Sequence, residues 1–99
     1  MMIPVIDAVN RCVDNVDELF AAMRTKDGYV AILKPDGGYG IGHVSSVERE
    51  DGSGWKFNVY VHMRGSGETE HFFVQDLNGK REANRAKYGA DLYNKKYQH

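Results

Sequence analysis

Three glycine-bearing turns divide the middle of this 99-residue chain into four apolar runs, and they constrain its fold more than any other feature. The strongest is Lys34-Pro35-Asp36-Gly37-Gly38. Proline presets φ at the first turn position, aspartate bonds nearby backbone, and glycine takes positive φ without steric cost. Glu50-Asp51-Gly52-Ser53-Gly54 and Gly65-Ser66-Gly67 repeat the signal. Consecutive strands joined by loops this short are antiparallel neighbours. The spacing predicts a four-stranded antiparallel meander with strands over about residues 28–34, 39–49, 55–64 and 69–75.

Flanking segments carry helical patterns. Val5, Ile6, Val9, Cys12, Val13, Val16, Leu19, Phe20 and Met23 recur every three or four positions, which predicts an amphipathic helix over about residues 5–26. Asn15 followed by Glu18 resembles a capping box, so this segment is either one helix or two that break near Asp14-Asn15. Gly28 supplies a left-handed stop. A second helix is expected over about residues 78–97, with Ala86, Ala90, Tyr93 and Tyr97 on one face. The expectation is a single α+β domain over residues 1–99.

Turn geometry also sorts the strand residues into two faces, because slipping a register by one residue inverts every side chain. Val30, Ile32, Val44, Phe57, Val59, Val61, Phe72 and Val74 fall on an apolar face suited to a core. Tyr29, Leu33, Ile41, His43, Tyr60, His62, His71 and Phe73 fall on the other, with Val44 set opposite Val59 and His62 opposite His71. That second face is too apolar for bare solvent and too polar for an ordinary core. Gly40 and Gly42 weaken a strand unless it bends or something approaches its backbone closely. Bending of so short a meander suggests a small SH3-like half-barrel.

Composition excludes several classes. The single cysteine, Cys12, rules out a disulfide framework and multi-cysteine metal knuckles, and its place on the apolar stripe suits an inert thiol. No stretch has the apolar length to span a bilayer, and the start lacks a signal-peptide pattern, so a cytoplasmic protein without membrane contact is expected. His43, His62 and His71 share a face but lack the spacing of known zinc sites, so no metal or other cofactor is expected. Gly37-Gly38-Tyr39-Gly40-Ile41-Gly42 joins two strands instead of leading into a helix, so it is no phosphate loop. No serine sits in a nucleophile elbow, and the expectation is a protein without enzymatic activity.

Net charge is −1, with the basic residues gathered at the end: residues 1–75 carry −4 and residues 76–99 carry +3. Two binding surfaces follow. One is the mixed sheet face around Ile41, His43, Tyr60, His62, His71 and Phe73. The other is the basic helix, through Lys80, Arg81, Arg85 and Lys87. Surplus aromatic and apolar surface favours a protein partner or a homodimer. Such a short motif-free chain fits accessory proteins of phages and other mobile elements, including inhibitors that occlude a host protein. The alternative is an SH3-like nucleic-acid-binding module that uses the basic helix on phosphates, against which the overall charge argues.

Overall fold

The central turns form where local chemistry demands them. In the first, the Lys34 N–H donates to the Gly38 carbonyl (2.8 Å) and the Gly38 N–H to the Asp36 carboxylate (2.8 Å). Gly37 takes φ +86°, a left-handed value that favours glycine. A computed structural model describes residues 3–50, 52 and 54–97, with side chains to residue 89. The Asp51 and Ser53 positions of the second turn, and the side chains of Ala90, Tyr93 and Tyr97, lie outside the described residues.

Among the described residues, two helices and six strands make a small single domain of mixed α and β structure. The order is β1 (Val5–Asp7), β2 (Cys12–Val13), α1 (Val16–Met23), β3 (Tyr29–Leu33), β4 (Tyr39–Arg49), β5 (Lys56–Met63), β6 (Thr69–Asp76) and α2 (Leu77–Tyr97). The strands close into a barrel in the order β1-β2-β6-β5-β4-β3, a larger sheet than a four-stranded meander. β3 to β6 pair antiparallel in sequence order, whereas β1 lies parallel to β3 and β2 parallel to β6.

The first segment departs most from the expected helix over residues 5–26. Helix is confined to α1, and its first half is two short strands. A local turn breaks the helical run: the Asp7 carboxylate accepts from the Val9 N–H (3.0 Å), the Asn10 N–H (3.0 Å) and the Asn10 side-chain amide (2.8 Å). Such a turn offers the backbone an alternative to helix. Arg11 then takes φ +55°, which no α-helix accommodates. Ile6 and Val13 of this stretch are buried in the core and Ala8 packs against it, while Val5 and Val9 remain 42 % and 53 % exposed. The apparent stripe is two inward strand positions plus α1. At the α1 start, Asn15 Oδ1 accepts from the Asp17 N–H (2.9 Å). At its far end Gly28 lacks the left-handed φ expected of a stop; a Cβ there would collide with the Ala22 carbonyl, so glycine serves close approach instead.

Two registers also differ. β4 pairs Val44 with Val61 rather than Val59, then bulges at Ser45 so that Val47 meets Val59. The Ser45 hydroxyl donates to the Tyr60 carbonyl (3.0 Å) across the bulge. The bulge adds one residue, and Val44 and Val47 thereby both turn toward the core, Val47 only partly buried there. Between β5 and β6, Met63 donates to the Glu68 carbonyl (2.8 Å), which shifts the pairing by two residues. His62 therefore lies opposite Thr69, and Tyr60 opposite His71. A two-residue shift keeps each side chain on its face.

Inside the barrel, Val30, Ile32, Val44, Phe57, Val59, Val61, Met63 and Val74 join Ile6, Val13, Val16 and Leu19 in one core. Phe72, placed on this face by the turns, packs against the core while staying partly exposed. Phe20 of α1 meets Phe57 edge-on at 6.4 Å. Gly42 lets β4 and β5 approach, since a Cβ there would lie 2.6 Å from the His62 carbonyl and from Val61 Cγ1.

α2 leaves this body. Its main contact is β6, and residues 81–89 are exposed. The radius of gyration is 16.4 Å, against about 13 Å for a compact chain of this length. The molecule measures 62 × 29 × 27 Å, and a helix of 21 residues spans about 31 Å of such a long axis.

Candidate binding surfaces

Outward-facing residues of β3 to β6 form rows across the strands. One row runs Tyr29, His43, His62, Thr69; a second brings Tyr60 beside His71; a third pairs Asn58 with Phe73. The candidate residues therefore fall into two patches. Tyr60, His71 and Phe73 gather around Asn58, and His43 and His62 gather beside Ile41.

In the first patch one hydrogen bond ties two polar side chains together. His71 Nε2 lies 2.7 Å from Asn58 Oδ1, so this nitrogen carries the proton and donates. The His71 ring tilts onto Tyr60 with centroids 4.8 Å apart. Tyr60 and Phe73 are half-buried and His71 is exposed. A dent of about 260 Å³ lies beside them, lined by Arg11, His71 and Phe73 among others.

The second patch contrasts with it. His43 packs edge-on against Tyr29 at 4.4 Å, and the Arg64 guanidinium lies over the same ring at 5.0 Å. Tyr29, His43, His62 and Arg64 line a pocket of about 310 Å³, closed below by the Gly65–Gly67 turn. Gly65 (φ +96°) and Gly67 (φ +70°) make that turn possible. Ile41 stands 45 % exposed, and its carbonyl accepts from the Arg64 N–H (2.9 Å). Among the described residues the side chains of His43, His62 and Arg64 make no hydrogen bond or ion pair. Sequence reasoning placed Tyr29 on this face and passed over Arg64. Its parity with His62 across the end of β5 was the available signal.

The three histidines are therefore not one cluster, and among the described residues no group of three His, Cys, Asp or Glu side chains is placed to hold a metal ion. Cys12 is half-buried; burial pushes its thiol up, and the Asp7 and Asp14 carboxylates push it further. A thiol so shifted is a poor nucleophile at neutral pH.

On α2, Arg81, Arg85 and Lys87 are exposed, while half-buried Lys80 reaches the Gln75 side-chain oxygen at 3.4 Å. The Lys80 and Lys56 ammonium groups lie 5.3 and 5.2 Å from the Trp55 ring centre, so the base of α2 is pinned on an aromatic. Asp76, just before the helix, is only 6 % exposed, and its Oδ1 has no hydrogen-bond partner among the described residues. Its other oxygen leans over the first turn, 2.9 Å from where a Cβ on Gly79 would sit.

A third concavity escaped the sequence altogether. It is a groove of about 490 Å³ between α1 and the start of the chain, lined by Ile3, Pro4, Ala21 and Ala22 with Glu18 and Asp27 at its edge. No helix among the described residues is long and apolar enough to cross a membrane. No protein-family model matches the chain, and neither a curated protein nor a solved structure matches it.

Proposed function

We propose that this chain is a non-enzymatic binding protein that acts through protein contacts on the outward wall of β3 to β6. The observation carrying this reading is that the wall is aromatic, mixed and open at once. Ile41 is 45 % exposed and neighbouring Tyr39 63 %, His62 and His71 are exposed, and Tyr29, Tyr60 and Phe73 add half-buried rings. Rigid aromatic side chains beside polar groups with free capacity are the composition of interface centres. The barrel beneath fixes them on strands, so little ordering remains to be done on binding. An accessory or inhibitory protein works by this kind of occlusion, and a second copy of the chain is one partner it admits. Affinity purification of the full chain from native cell extract, read by mass spectrometry, tests the reading. One protein recovered in fixed ratio to the chain supports it. An empty purification, with light scattering at monomer mass, removes it.

A second reading is favoured by one observation, the projecting basic α2 with Trp55 at its root. Here the chain is an SH3-like module in which Arg81, Arg85 and Lys87 contact phosphates. Such contacts weaken steeply with salt. Binding to single-stranded DNA or RNA at low salt that vanishes at moderate salt supports this reading, and absence of binding at low salt discards it.

A further inference from the structure

The pocket between Tyr29 and the Gly65–Gly67 turn combines features that a generic sticky surface lacks. Arg64 and the imidazoles of His43 and His62 come from two strands and the turn between β5 and β6, and meet in about 310 Å³. No acid lines it. Tyr29 holds Arg64 from one side and His43 from another, at 5.0 and 4.4 Å. A guanidinium held against an aromatic ring keeps its in-plane N–H fork free, and that fork matches a carboxylate with two parallel hydrogen bonds. Gly42 makes the arrangement possible by letting β4 lie close against the His62 backbone.

We infer that this pocket receives the carboxylate of an Asp or Glu side chain presented by the protein partner, an inference that rests on the protein-binding reading above. Arg64 grips the carboxylate, the imidazoles of His43 and His62 flank it, and exposed Ile41 meets the apolar stem of the acid or its neighbour. Charge selects a single carboxylate over a polyphosphate. Glu68 lies beside the pocket, next in the chain to the Gly67 that lines it and with its carbonyl bonded to Met63. A nucleic-acid backbone laid across the pocket would run past this acid, whereas one side chain entering from above avoids it.

The test is titration of the full chain by NMR with acetylated, amidated Ala-Glu-Ala and its Ala-Gln-Ala control. Inorganic phosphate and a short single-stranded DNA form the remaining arms. Saturable shifts at Arg64, His43 and His62 with the Glu peptide, and none with the Gln peptide, support the inference. Arg64→Ala weakens the Glu peptide about tenfold, Arg64→Lys recovers part of the loss, and Lys26→Ala, exposed and outside both proposed surfaces, leaves it unchanged. Equal response to the Gln peptide, no saturable response, or tighter binding of phosphate or DNA overturns it. The underlying reading fails separately: a partner captured equally by wild type and Arg64→Ala sinks only the pocket, whereas no captured partner sinks the protein-binding function even if the peptide binds.

Discussion

The two sides of the barrel wall are built from alternate residues of the same strands, yet they do different work. On the inside of β5, Phe57, Val59, Val61 and Met63 are buried and entirely apolar. On the outside, Asn58, Tyr60 and His62 alternate with them, half-buried or exposed, and carry rings and hydrogen-bonding groups. Removing a group from the inside leaves a cavity, whereas removing one from the outside leaves water. Stability therefore belongs to one side, and the proposed recognition to the other. The outside is itself uneven, since His71 is tied to Asn58 while the side chains of His43, His62 and Arg64 make no hydrogen bond or ion pair among the described residues.

Substitutions can break this division. Phe57→Ala carries the largest effect, a loss of about 3–5 kcal/mol in urea unfolding, because a fully enclosed ring that also meets Phe20 leaves a cavity. Gly42→Ala comes next, at about 1–3 kcal/mol, since the new methyl overlaps the His62 carbonyl and Val61. It also disturbs the pocket, so it lowers melting temperature and Glu-peptide affinity together. On the outside, His71→Ala costs up to about 1 kcal/mol through the Asn58 contact, and His62→Ala stays within about 0.5 kcal/mol. Equal costs for the two histidines would erase the distinction between the patches.

The smallest expected effect concerns Asp7. The Asn10 backbone N–H and then the Asn10 side chain hold its carboxyl below the ordinary value. A depressed folded value contributes stability above the unfolded one and loses it as the pH falls through the folded one. Asp7→Asn therefore lowers the melting temperature slightly at neutral pH, and the gap to wild type narrows as the pH drops below about 4.

What could be read from the sequence was set locally. The Pro35-Asp36-Gly37 turn fixes the pairing of Val30 with Gly42 and Ile32 with Gly40, because proline, aspartate and glycine each impose their geometry within a few residues. The inner and outer faces of β5 followed from parity. What stayed hidden depends on distant partners. β1 and β2 are strands because β3 and β6 supply their hydrogen bonds across the chain, and apolar spacing alone does not distinguish that from a helix. The Ser45 bulge and the longer β5–β6 turn moved His62 away from His71, so three histidines on one face became two patches with different chemistry. Arg64 meets Tyr29 from beyond the end of β5, a contact between residues far apart in the chain.

The account stands on the outward wall being the surface that holds a protein partner. Its most direct test is quantitative capture from nuclease-treated native extract by three forms of the full chain: wild type, Tyr60→Ala with Arg64→Ala, and Arg81→Glu with Arg85→Glu. The account predicts one partner held by wild type, held equally by the helix variant, and lost from the wall variant while that variant melts near the wild-type temperature. Capture that survives the wall variant and disappears with the helix variant would contradict it.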